Sequence, residues 1–85
     1  MKKIHQVKEV NFDGDNLCLS INGKVYRFPL ISISQKLLKA TETERNLYQI
    51  SPAGYGIHWL MIDEDLSIDG LLKLAQTNNH ELFKI

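Results

Sequence analysis

The dipeptide Asn22-Gly23 constrains this chain more than any other feature. Both residues tolerate the positive φ that a two-residue type I′ turn demands at its central positions. Before it, Leu17-Cys18-Leu19-Ser20-Ile21 alternates with the period of two that marks a half-buried strand. A hairpin closed by such a turn has a single register. Ile21 then faces Lys24, Leu19 faces Tyr26, and Leu17 faces Phe28, on a face that is apolar except at Lys24. The other face pairs Ser20 with Val25 and Cys18 with Arg27, so Cys18 sits on the less apolar side. No motif supplies the base that a nucleophilic thiol needs, and Cys18 reads as a small filler residue in a strand.

The segments on either side extend this hairpin into a small domain. Residues Ile4 to Phe12 read as a strand in which Ile4, Val10 and Phe12 share one parity and Val7 does not, as a bulge would produce. Asp13-Gly14-Asp15-Asn16 is a turn. Pro29, which cannot donate to a ladder, ends the meander. Ser34 has the character of an N-cap for a helix over Gln35 to Ala40, with Ile33 and Leu38 at the spacing of a hydrophobic staple. Thr41 and Glu44 stand at the spacing of a capping box that opens a helical turn through Asn46. Leu47 to Ser51 reads as a fourth strand, Pro52 to Gly56 as a turn, and Ile57 to Met61 as a fifth strand. Ser67 caps a last helix from Ile68 to about Gln76, whose Ile68, Leu71, Leu72 and Ala75 form one apolar stripe. Asp69 suits the positive end of that helix, and Asn78-Asn79 is expected to stop it.

The chain has 85 residues, enough for one domain over 1–85. The expected fold is α+β, a mostly antiparallel sheet of about five strands with two to three short helices. The strands divide into an N-terminal three-stranded meander and a later hairpin. Residues 76–85 read as a tail, in which Leu82, Phe83 and Ile85 can pack on the sheet, pair with another subunit or fray. A core this small leaves a thin stability margin, so a homodimer is one way to enlarge it.

Ten basic and ten acidic residues cancel, which removes the basic excess behind non-specific phosphate binding and argues against direct nucleic-acid binding. No apolar run approaches the ~20 residues needed to cross a bilayer. No hydrophobic segment follows Met1-Lys2-Lys3, so no secretion signal is expected, and one cysteine makes no intrachain disulfide. The expected location is cytoplasmic.

Candidate functional residues concentrate between Gly54 and Leu66. This stretch holds the only tryptophan, one of three histidines, two of five glycines and the run Asp63-Glu64-Asp65. Trp59 reads as a core plug, while Asp65 or Ser67 can cap the helix that follows. The glycines around Tyr55 indicate unusual dihedrals or a close approach to the backbone. Arg45 can stay exposed near Glu42 or reach the acids at 63–65, where its planar fork suits a carboxylate. The candidate binding surface is Arg45, Tyr55, His58, Asp63, Glu64 and Asp65.

A metal site would use His58 with Asp63 or Asp65, and His5 or His80, but the spacing matches no standard zinc pattern; neither metal nor cofactor is expected. A hydrolase would use His58 with Asp63 or Asp65, but no nucleophile motif accompanies them. The reading that fits best is a non-catalytic protein-interaction module, since a sheet has edges and edges bind strands. A small-molecule or metal-binding accessory domain is the alternative.

Several runs also carry a family resemblance: Ala40-Thr41-Glu42-Thr43-Glu44-Arg45-Asn46, then Gly54-Tyr55-Gly56-Ile57-His58-Trp59, then Ile62 through Leu72. Together with Gly23 in the hairpin and Pro29-Leu30 after it, they resemble the bacterial domain-of-unknown-function family 2442 over roughly residues 4–74, most of a domain. The chain departs from the family pattern at Ile33-Ser34-Gln35-Lys36-Leu37, where an aromatic-Pro-Arg-Leu segment is usual, and at Leu60, where Pro often follows the Trp. The resemblance implies a small α+β fold and no established activity. It also implies a neighbour-encoded small protein as partner, in an arrangement resembling toxin–antitoxin pairs.

Overall fold

The computed structural model describes the backbone over residues 4–82 and side chains over 4–77. Two three-stranded antiparallel meanders share one core. In the first, β1 (Val7–Asp13), β2 (Asn16–Ile21) and β3 (Lys24–Pro29) lie in chain order. The expected register holds throughout, from Ile21 opposite Lys24 to Leu17 opposite Phe28. Asn22 and Gly23 have φ of 54° and 86°, as the type I′ turn requires. The β1–β2 register shifts between Lys8 and Asn11, and Glu9 takes φ 55°, which locates the expected bulge. On the less apolar face, Arg27 donates to Asp13 at 2.6 Å and lies 3.8 Å from the Cys18 sulfur. That hydrogen bond, and then the charge of Asp13, raise the Arg27 guanidinium above its ordinary pKa.

Pro29 is followed directly by a helical turn the sequence reading did not anticipate, α1 (Leu30–Ile33). Its Leu30 is buried, so the turn drives an apolar side chain beneath the sheet. The helix expected over Gln35 to Ala40 is shorter, α2 (Gln35–Leu38), with the Ser34 hydroxyl accepting from the Leu37 N–H at 3.0 Å. The capping box of Thr41 and Glu44 opens α3 (Glu42–Arg45) with both of its reciprocal bonds present.

The second meander comprises β4 (Tyr48–Ile50), β5 (Gly56–Trp59) and β6 (Glu64–Ser67). Here the expected hairpin is corrected to a third strand, giving six strands rather than five. The acidic run does not merely lead into a helix, since Glu64 and Asp65 pair with Trp59 and His58. The final helix α4 (Ile68–Leu82) is capped by Ser67, whose hydroxyl accepts from the Gly70 N–H at 3.0 Å. It runs past Asn78-Asn79 instead of stopping there. An interior Asn lowers helix propensity by only a fraction of a kcal/mol, about 0.7, which does not end a helix. The side chains of the tail, with Leu82, Phe83 and Ile85, lie outside the described residues, as does the imidazole of His80.

The core joins both meanders: Leu17, Leu19, Ile21 and Phe28 from the first, Ile57 and Trp59 from the second, with Leu30, Leu37, Ile68 and Leu71 from the helices. Trp59 is fully buried and its ring meets Phe12 edge-on at 6.3 Å. Among the described residues no helix is long and apolar enough to cross a membrane.

Candidate functional site on the outer face of the second sheet

Register decides which side chains of the second sheet face solvent. Directly opposed residues share a face. Tyr48, Trp59 and Glu64 form one cross-strand row, and Ile50, Ile57 and Leu66 another, both on the core side. Gln49, His58 and Asp65 form the intervening row and therefore project outward. His58 Nδ1 lies 2.8 Å from Asp65 Oδ1. A carboxylate only accepts, so the bond places a hydrogen on Nδ1 and, in the neutral ring, leaves the lone pair on Nε2. The imidazole is 35% exposed and the carboxylate 75%, so the pair is open to water and screened by it.

Asp63 joins this pair from the turn between β5 and β6, where it takes φ 50°, a conformation that Asp adopts more readily than most residues. Its carboxylate and the ligand atoms of His58 and Asp65 lie within 4.8 Å of one another. Lys36 on α2 donates to the main-chain oxygen of Asp63 at 3.0 Å and ties down the turn. An open cleft of about 830 Å³ runs along the same face, with Gln49, Ser51, Tyr55, His58, Asp65 and Ser67 in its lining. Ser51 shapes one end, its hydroxyl accepting from the N–H groups of Tyr55 at 2.8 Å and Gly56 at 3.2 Å.

Of the six residues expected to share a surface, His58, Asp63 and Asp65 cluster, and Tyr55 lines the same cleft as His58 and Asp65. Glu64 points the other way. Strand alternation turns it toward the core side, where it accepts from the Ser34 hydroxyl at 2.5 Å and from the Asp65 N–H at 3.0 Å. Arg45 is elsewhere too, pairing with neither Glu42 nor the acids at 63–65. Its guanidinium donates to the carbonyls of Leu37, Leu38 and Gly14 and to the Asp15 carboxylate, and it lies over the Phe12 ring at 5.3 Å. The Leu37 and Leu38 carbonyls hold it there because these contacts are partly buried and the carbonyls need a donor. His5 also has other partners, its ring held between Asp69 at 2.7 Å and Asn22 at 3.0 Å.

The family model described as Protein of unknown function (DUF2442) matches residues 7–77. The chain belongs to this family. A crystal structure of a protein of unknown function from Rhodospirillum rubrum ATCC 11170 is similar, with 28% sequence identity and a TM-score of 0.65. That alignment covers 81% of this chain and 86% of the other. No curated protein matches.

In this DUF2442 domain the sequence reading missed Gln49 and Ser51 as neighbours of His58. Gln49 is recoverable only through the ladder: once β4 and β5 are paired, residue 49 must face residue 58. Chemically, the site can hold a proton at His58, accept hydrogen bonds and attract a cation. Acyl transfer would further need a hydroxyl or thiol bonded to Nε2. Among the described residues, the hydrogen bond made by the His58 ring is the one to Asp65.

Proposed function

We propose that this protein is a non-catalytic interaction module whose outer second sheet recognises another small protein. The observation that carries this reading is the exposed cluster of His58, Asp63 and Asp65 at a cleft that Tyr55 also lines. His58 and Asp65 project from the sheet into an open cleft, Tyr55 lines that cleft from the turn before β5 and is 55% exposed, and Asp63 joins the His58–Asp65 pair from the turn before β6. An exposed aromatic next to paired carboxylates suits a partner that presents Lys or Arg around an apolar contact. A small protein encoded nearby, as the family resemblance implies, is the first partner to try.

Co-expression with that neighbour and capture on a tagged chain test the reading. Replacing Asp63 and Asp65 together by Lys is expected to weaken capture at least about tenfold, the effect of losing roughly 1.4 kcal/mol. Melting should move by no more than about 4–8 °C, since two exposed substitutions rarely exceed about 0.5 kcal/mol each. Unchanged capture would remove the proposed surface, and a collapse in melting would make these acids structural.

The grouping of His58, Asp63 and Asp65 favours a second reading, a divalent-cation site completed by water. Three protein ligands with an open position is a recognised arrangement for zinc. Thermal melts with zinc or manganese chloride, on the native chain and on His58→Ala, decide it. Equal melting with and without metal eliminates a cation site.

A further inference from the structure

A sheet edge exposes unpaired main-chain groups, and proteins usually guard such edges with charge, proline or bulges. Among the described residues, three of the four edges are guarded. β1 carries Lys8, Glu9 and Asp13 and the bulge at Glu9. β3 carries Lys24, Arg27 and Pro29. On β6 the outward N–H of Asp65 is capped by the Glu64 side chain at 3.0 Å, and α4 follows at once.

The β4 edge differs. Leu47-Tyr48-Gln49-Ile50-Ser51 holds no charged residue. Bonds from the Leu60 N–H to the Leu47 oxygen at 3.1 Å and from the Ser51 N–H to the Gly56 oxygen at 3.0 Å fix the phase of the ladder. Gln49 therefore exchanges its main-chain bonds with His58, and the N–H and C=O groups of Tyr48 and Ile50 point away from β5. The Tyr48 hydroxyl donates to the Val10 oxygen at 3.4 Å on the core side, and among the described residues the strand that pairs with β4 is β5. Exposed Leu47, Leu60 and Met61 flank the same end of the strand.

We propose that β4 pairs antiparallel with β4 of a second copy of this chain, centred on Gln49, making one six-stranded sheet. The strand is complementary to itself in this register. Tyr48 of each copy lies opposite Ile50 of the other, and those two pairs exchange four main-chain bonds. Both residues are half-buried on the core side, so each pair extends the apolar face across the junction. The two Gln49 side chains meet on the outer face, amide to amide. No charge is buried, and Leu47 and Leu60 gain cover.

The pairing has a consequence for the candidate site. A two-fold axis through an antiparallel junction is perpendicular to the sheet, so both outer faces end on the same side. The row Asp65–His58–Gln49 then continues into Gln49–His58–Asp65 of the second copy. With strands about 4.8 Å apart, the two His58 rows stand roughly 14 Å from each other. The recognition surface becomes symmetric and bivalent.

Dimerisation is measured on the chain alone, so its failure leaves the proposed partner reading untouched. Sedimentation equilibrium of the native chain should show a monomer–dimer equilibrium. Gln49→Lys and Gln49→Glu should each raise the dimer Kd about fivefold through like charges at the axis, and an equal mixture of the two should recover native affinity or better. In a Cys18→Ser background, Gln49→Cys should oxidise to a covalent dimer, because opposed Cα atoms of a non-hydrogen-bonded pair are about 4.5 Å apart, within disulfide reach. Gln35→Cys, on exposed α2, should not. A native chain that stays monomeric, or a dimer indifferent to the charge of residue 49 and not cross-linked there, overturns the proposal.

Discussion

The indole N–H of Trp59 donates to the main-chain oxygen of Arg45 at 2.9 Å, while the Arg45 side chain reaches back to Leu37, Leu38, Gly14 and Asp15. These two residues connect the second sheet, the helical turns and the β1–β2 turn. The indole has no exposed surface and the Arg45 side chain is 14% exposed. Among the described residues no buried side-chain polar atom lacks a partner. Either side chain is thus hard to replace.

Trp59→Phe removes both volume and the donor to Arg45. The expected loss is about 2–4 kcal/mol, part cavity and part unsatisfied carbonyl. A domain of this size has little more than that to lose, so Trp59→Ala should be unfolded at 25 °C. Urea titration followed by far-UV circular dichroism gives both values.

Arg45→Lys keeps the charge and loses the fork. A single ammonium cannot reach three carbonyls and a carboxylate in one plane, so a loss of about 1–3 kcal/mol is expected. If Arg45 served mainly as a charge, the substitution would be neutral in the same titration.

Two glycines with positive φ should respond differently to alanine. A Cβ on Gly54 would lie 1.9 Å from the His5 main-chain oxygen, in a backbone at φ 73°. Gly54→Ala must displace the N-terminal segment that bonds to the Ala53 oxygen, and a loss above about 3 kcal/mol is expected. Gly23→Ala meets no atom within 4 Å and bears only the left-handed backbone penalty, about 1–2 kcal/mol. Paired denaturation curves test the ordering.

Neighbouring acids on β6 should separate cleanly. Glu64→Lys abolishes the acceptor for the buried Ser34 hydroxyl, which also caps α2, and should cost about 2–3 kcal/mol. Asp65→Lys, one position along and facing solvent, should change stability by no more than about 0.5 kcal/mol. Equal losses would mean that strand alternation does not divide their roles.

Local chemistry was legible in the sequence. Asn22-Gly23 set the register of the first meander, because a two-residue turn leaves no slack. Ser34, Thr41 with Glu44, and Ser67 marked their helix starts, because an N-cap bond spans only three residues. Trp59 could be read as core from its size and apolar character alone.

Tertiary structure alone decided the rest. β6 was hidden because Glu64 and Asp65 are poor strand formers by themselves and become a strand only by pairing with β5. That pairing sends Glu64 inward and Asp65 outward, which splits an acidic run that looks continuous in sequence. Arg45 was unreadable for a similar reason: its partners Gly14 and Asp15 are some thirty residues away, and the need of distant carbonyls for a donor leaves no local mark. Sequence determined what short-range bonding can enforce, and only the packed chain determined which face each side chain was given.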